Sequence, residues 1–152
     1  MIRSEKRLRT AKILLVLNLA FIWGNSLLPG ELSGAFSNWV RDLLLSLLPA
    51  RPSGGIGGGL LRKIAHFTEF ALLGACLAWL HGMVNKKAAY ALAWGAAAAC
   101  MDETIQRFVP GRGPSLKDVG IDTAGVLTGI ALLHLGHHIY KKHQSTTGGN
   151  ET

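Results

Sequence analysis

Residues 60–80, LLRKIAHFTEFALLGACLAWL, decide the fold. Twenty-one residues of α-helix rise about 30 Å, the thickness of a bilayer's hydrocarbon core. From Phe70 to Leu80 the stretch is apolar apart from small residues. Its first half carries Arg62, Lys63, His66 and Glu69. Ionisable groups inside a span are costly, so they face a bundle interior or a wet cavity rather than lipid. The stretch therefore reads as a membrane helix with a polar site at one end.

Three further segments have the length and character to cross: 13–28, 88–108 and 119–140. The first ends at Pro29-Gly30 and is interrupted by Asn18, Asn25 and Ser26. Its basic leader resembles a signal peptide, but Asn25-Ser26-Leu27-Leu28-Pro29 offers no small-x-small cleavage site, so it reads as a retained span. The expected fold is an all-α, polytopic membrane bundle with four transmembrane helices in a single domain, 1–152.

Composition agrees. Hydrophobic residues make up 49% of the 152 and charged residues only 16%, well under the ~25% of soluble domains. Intrinsic disorder is excluded by the apolar content. A disulfide scaffold is excluded because there are only two cysteines, Cys76 and Cys100, both inside apolar stretches. The net charge of +7 does not indicate nucleic acid, because the basic residues cluster at span ends without interleaved aromatics. Nine of the sixteen Lys and Arg lie in the N-terminal tail, the 82–87 loop and the C-terminal tail, where Glu5 and Glu151 are the only acids. The positive-inside rule puts these regions in the cytoplasm, so four crossings with both termini inside satisfy the charge pattern.

Between the first two spans, Phe36, Trp39, Val40, Leu43, Leu44, Leu47 and Leu48 fall at helical spacing, with Arg41 and Asp42 opposite. Segment 36–48 is too short to span and reads as an amphipathic helix on the outer surface. Residues 53–59 read as a glycine-rich linker and 142–152 as a disordered tail. The alanines of 88–99 and the Gly125/Gly129 pair indicate close helix packing.

Counting helical rise from each span's end brings polar residues of three spans to the same outer half of the membrane. These are Arg62, Lys63, His66 and Glu69, then Asp102, Glu103, Gln106 and Arg107, then Asp118 and Asp122. Arg112, Ser115 and Lys117 lie in the connection between the last two groups.

Three patterns occur here in order: Lys63-x-x-His66-Phe67, Asp102-Glu103-x-x-Gln106-x-Phe108-x-Pro110-x-Arg112, and Ser115-x-x-Asp118. Together with their surrounding helices, over about residues 10–140, they resemble the VanZ-like family of small bacterial membrane proteins. Asp122 departs from the family pattern, in which asparagine is common, and adds a titratable group. The resemblance implies a multi-span protein of the bacterial cytoplasmic membrane. The family's namesake is associated with glycopeptide resistance, so an influence on glycopeptide susceptibility and a role in the cell envelope are what the resemblance adds.

The expected site faces outward, where bacteria handle lipid-linked envelope precursors and phospholipid headgroups. The catalytic side is His66, Glu69, Asp102, Glu103 and Gln106. Glu69, one turn from His66, could orient the imidazole for acid–base work. The substrate-binding side is Lys63, Arg112, Ser115, Asp118 and Asp122, with cationic groups for an anion. Asp102, Glu103 and Asp122 could share a proton or hold a divalent cation. No metal ligand is assigned: zinc is disfavoured with one well-placed histidine, and the oxygen-preferring cations have no spacing signature here. Three functions follow. One is transfer or hydrolysis at an anionic lipid or lipid-linked precursor, by acid–base or metal-assisted chemistry. Another is non-enzymatic binding or transport of such a lipid, and the last is a structural ion-pair network. Membrane lipids are the expected partners, and nucleic acid is not. No HExxH, GxSxG or P-loop names a reaction.

Overall fold

The computed structural model describes residues 2–47, 57–83 and 87–147, and among them the chain is entirely helical. Five helices follow one another: α1 Ile2–Ser26, α2 Gly30–Ser46, α3 Gly58–Met83, α4 Ala88–Gln106 and α5 Leu116–Thr147. Leu48, residues 53–56 of the expected linker, Lys86 and residues 148–152 of the expected tail lie outside the described residues.

The bundle exposes large apolar side chains and encloses several polar ones beside its apolar core. Phe21, Trp94, Leu132 and Ile139 are all more than half exposed, while Asp102 and Asp122 are enclosed as deeply as Phe70 and Leu73. That arrangement suits apolar surroundings outside and a polar interior. α3 and α5 are each long and apolar enough to cross a membrane alone. α1 meets the test only together with α2, as a pair bent by 107° across residues 27–29. α4 does not meet it: alanine is weakly apolar, and Asp102 and Glu103 fall in its last turns. The helices with membrane character thus number two, or three counting the bent pair.

Several boundaries differ from those expected. α1 begins near the N-terminus because Arg, Lys and Leu are good helix formers and the basic segment simply extends the helix. α2 starts at Gly30 rather than Phe36, directly after Pro29, whose ψ of 144° ends the previous direction. It buries Ser33 and leaves Leu32, Phe36, Trp39 and Leu47 exposed. α5 runs on through Lys142 to Thr147, where a disordered tail is expected from sequence.

α3 is the hub, packed on every other helix and most extensively on α5. Glycine makes that approach possible. A Cβ at Gly125 would collide with the Phe67 carbonyl, and one at Gly129 with the Ala71 carbonyl. Both partners advance by four residues, so α3 and α5 run parallel, turn against turn. Gly74 of α3 meets the backbone of Val126, whose side chain lies against Gly95 of α4, and Val126 thereby wedges the three helices together. Ile22, Phe70, Leu73, Leu77 and Ile130 complete the apolar core.

Arg7, Met83 and Tyr140 line one groove, which brings the N-terminal part of α1, the end of α3 and the later turns of α5 together at one end of the bundle. At the other end Gly30 N–H donates to the Pro110 carbonyl at 2.9 Å and closes against Gly111, whose φ of +72° suits glycine. This contact fixes the start of α2 to the α4–α5 turn.

Gly129→Ala should lower the stability of the detergent-solubilised protein by about 1–3 kcal/mol, the usual cost of overpacking. Gly136→Ala on the same helix meets open space and should raise it by up to about 1 kcal/mol through helix propensity. Thermal unfolding followed by circular dichroism measures both.

Candidate functional site

The polar residues expected to converge come from α3, α4, α5 and the loop between the last two, and they sort into three neighbouring groups. The innermost consists of His66, Asp102 and Asp122. Asp102 is fully buried, Asp122 is 1% exposed and His66 8%. One ligand-type atom from each lies within 4.8 Å of the others. His66 Nδ1 is 3.8 Å from Asp102 Oδ2, beyond hydrogen-bond reach. Gln106 Nε2 donates to Asp102 Oδ2 at 2.8 Å and makes a longer contact, 3.4 Å, with Ser26 Oγ on α1. Asp122, read from sequence both on the substrate-binding side and as a partner of Asp102, lies in this inner group, where the parallel packing of α3 and α5 sets it near His66.

The second group joins α1 to the rest. Asn25 Nδ2 donates to Glu69 Oε1 at 3.0 Å, and Arg112 Nη2 donates to the Asn25 carbonyl at 3.1 Å. Glu69 therefore turns toward α1, and the carboxylate within ion-pair distance of His66 belongs to Asp102. Arg112 sits at the C-terminal end of α1, where a cation is favoured by the helix dipole. α1 has no basic residue in its own last turn, so the loop supplies it. Partial burial pushes the Arg112 guanidinium below its ordinary pKa, with neighbouring Arg62 adding to the shift.

The third group is the mouth. Arg62, Lys63, His66, Glu103, Gln106 and Asp118 line a cleft of about 10 Å³, room for one water or one ion. Ser115 N–H donates to Glu103 Oε2 at 2.7 Å. Ser115 Oγ accepts at 3.3 Å from the N–H of Asp118, three residues on, which is N-cap geometry at the start of α5. Ser115 therefore caps α5 while positioning Glu103. Arg107 and Lys117 are exposed, outside the cleft lining.

Arg62 also borders a second space, an apolar groove of about 570 Å³ between α1, α2 and α3. Phe21, Leu28, Phe36, Val40 and Leu61 form its walls, with Asn25 and Glu69 also in its lining. Sequence reasoning missed Asn25 and Ser26 as members of the site. Their signal was present: a pair of polar residues at the end of an apolar span, which a lipid-facing helix would not keep.

The coupling of Asn25 and Glu69 is measurable. Asn25→Leu leaves a half-buried carboxylate without its donor and should cost about 1–3 kcal/mol. Asn25→Leu combined with Glu69→Leu should cost less than the sum of the two single changes, and a double-mutant cycle by chemical unfolding reads the difference.

A family model described as VanZ/LLP1 matches residues 9–137. No curated protein and no solved structure matches the chain. The matched span takes in α1 from its first turns, the whole polar site and α5 as far as His137, so the chain belongs to the VanZ/LLP1 family.

Proposed function

We propose that the protein crosses the bacterial cytoplasmic membrane four times with both termini in the cytoplasm. In this reading its polar site works at the outer boundary on an anionic lipid headgroup or lipid-linked envelope precursor, by acid–base or metal-assisted transfer or hydrolysis. The orientation rests on charge. The end where Arg7 meets Met83 and Tyr140 carries the basic N-terminal segment and Lys141, and the polar site lies at the opposite end.

One observation carries the choice of substrate. Arg62 borders both the polar cleft and the apolar groove. A molecule with an acyl chain along Phe21, Leu28 and Phe36 would bring its anionic head to Arg62 and Lys63. A guanidinium and an ammonium at that junction offer charge-assisted hydrogen bonds to phosphate or carboxylate oxygens. Behind them lie His66, with Asp102 as its carboxylate partner, and Glu103 facing the same cleft, groups that would supply either an acid–base pair or the ligands of a metal. Through such envelope lipids the protein would influence glycopeptide susceptibility.

The smallness of the cleft favours a second reading, in which the headgroup is held at the mouth and never transformed. The protein would then bind or move an envelope lipid without chemistry.

The test uses protein purified into nanodiscs of phosphatidylcholine with or without phosphatidylglycerol. Native mass spectrometry should show retention of the anionic lipid. Arg62→Ala or Lys63→Ala should weaken retention about tenfold, the loss of one charge-assisted bond. Inorganic phosphate that binds as tightly as the lipid would remove the groove from recognition. Mass spectrometry of the lipids after incubation separates the two readings. Altered headgroups in wild type but not in His66→Ala or Glu103→Ala indicate turnover, and unaltered, retained lipid indicates binding alone.

A further inference from the structure

Two carboxylates and an imidazole from three different helices meet in the interior of an apolar bundle, toward one end. Among the described residues, neither oxygen of Asp122 has a hydrogen-bond partner, and neither does Asp102 Oδ1 or His66 Nδ1. No lysine or arginine forms an ion pair with either aspartate among them. Buried polar atoms almost always have partners, and a buried carboxylate needs a counter-charge. A network that merely tied the helices together would satisfy these atoms with one another. Here they point at a shared centre without bonding across it.

The spacing suits a cation at that centre. Ligand atoms about 2.0–2.2 Å from a metal lie roughly 3–3.5 Å apart when adjacent around it. His66 Nδ1 and Asp102 Oδ2 are separated by 3.8 Å, and the full trio by no more than 4.8 Å, so small side-chain rotations complete the set. Gln106 Nε2, bonded to Asp102 Oδ2 at 2.8 Å, holds that carboxylate in place as outer-shell partners of metal ligands do. We propose that His66, Asp102 and Asp122 bind one divalent cation of the Mn²⁺ or Mg²⁺ type, with Gln106 as the positioning residue.

The ligand chemistry selects that class. Two carboxylates select an oxygen-preferring cation over thiophilic ions, and the imidazole favours the Mn²⁺ type over Ca²⁺, which takes oxygen ligands. Three protein ligands leave further coordination positions. His66 and Gln106 also line the small cleft at the mouth, so those positions look toward Arg62 and Lys63, where an anionic headgroup would arrive. With Nδ1 on the cation, His66 is a ligand and not a proton carrier. The site then selects the metal-assisted form of the chemistry proposed above. Cation binding itself requires no lipid, so it stands or falls separately from the headgroup reading.

The experiment titrates Mn²⁺ into the full-length protein in detergent after EDTA treatment and follows the free-ion EPR signal. One ion should bind per chain, with ¹⁴N coupling from a single histidine in pulsed EPR. Asp102→Asn and Asp122→Asn, which keep side-chain volume, should each weaken binding about 100-fold or more. Gln106→Ala should weaken it about 10–100-fold, and His66→Ala should remove the ¹⁴N coupling. Asp42→Asn on exposed α2 should change nothing. Helical circular dichroism and a monodisperse elution profile confirm that each variant is folded. Absence of Mn²⁺ binding by wild type up to about 1 mM, a dissociation free energy near 4 kcal/mol, would overturn the proposal. So would binding that survives Asp122→Asn or lacks a nitrogen ligand.

Discussion

The structure depends on how closely α3 and α5 can approach. Gly125 sits on the Phe67 carbonyl and Gly129 on the Ala71 carbonyl, one turn apart on both helices. In a membrane bundle, backbones brought together by small residues replace the hydrophobic drive that water provides elsewhere. Asp122 lies one turn before Gly125 on the same face, and His66 is the residue before Phe67. The glycine contact therefore sets the height at which the aspartate meets the imidazole. Val126, between Gly74 and Gly95, ties α4 into the same register and delivers Asp102 from the opposite direction. Packing and site are thus one construction: a side chain at position 125 or 129 would move the polar centre as well as loosen the core.

Much of this was legible in the sequence for a physical reason. Ionisable residues are so costly within apolar helices that their presence at 62–69, 102–107 and 118–122 announces an enclosed polar site. Their depth follows from helical rise alone. Which residue faces which neighbour was not legible. His66 and Glu69 are three residues apart, so their side chains diverge by about 60° around α3. That angle sends Glu69 to Asn25 on α1 and leaves His66 for Asp102 on α4. Facing within one helix can be counted, but its rotation relative to neighbours emerges only from packing. The same limit hid the junction of Gly30 with Gly111: each follows a proline and signals a turn, but a turn signal does not say what the turn packs against. Ser115-x-x-Asp118, recognised first as a family motif, proves to be the N-cap of α5 as well.

The α1–α2 corner shows how a membrane-type chain ends one helix and starts another in a new direction. Pro29 has no N–H to continue the ladder, and Gly30 tolerates the backbone of the α4–α5 turn against it. The last carbonyls of α1 are left near the site, and Arg112 takes one of them. α2 then departs at 107° with Leu32, Phe36, Trp39 and Leu43 exposed along it. A lipid boundary is the environment in which such exposure costs least. The corner thereby forms one wall of the apolar groove and places it beside Arg62.

Charge in the site is graded along its depth, and the gradient constrains what it can do. Innermost are two carboxylates with one imidazole, and at the cleft Arg62 and Lys63 stand beside Glu103 and Asp118. An anion at the mouth finds two cationic side chains there and would be repelled by bare carboxylates beyond them. A cation held by His66, Asp102 and Asp122 reverses that repulsion, because it neutralises the aspartates and presents positive charge toward the same cleft. Without it, the deep acids oppose Arg62 and Lys63 at the rim. With it, both layers attract a phosphate, and a cleft of about 10 Å³ admits one of its oxygens toward the ion.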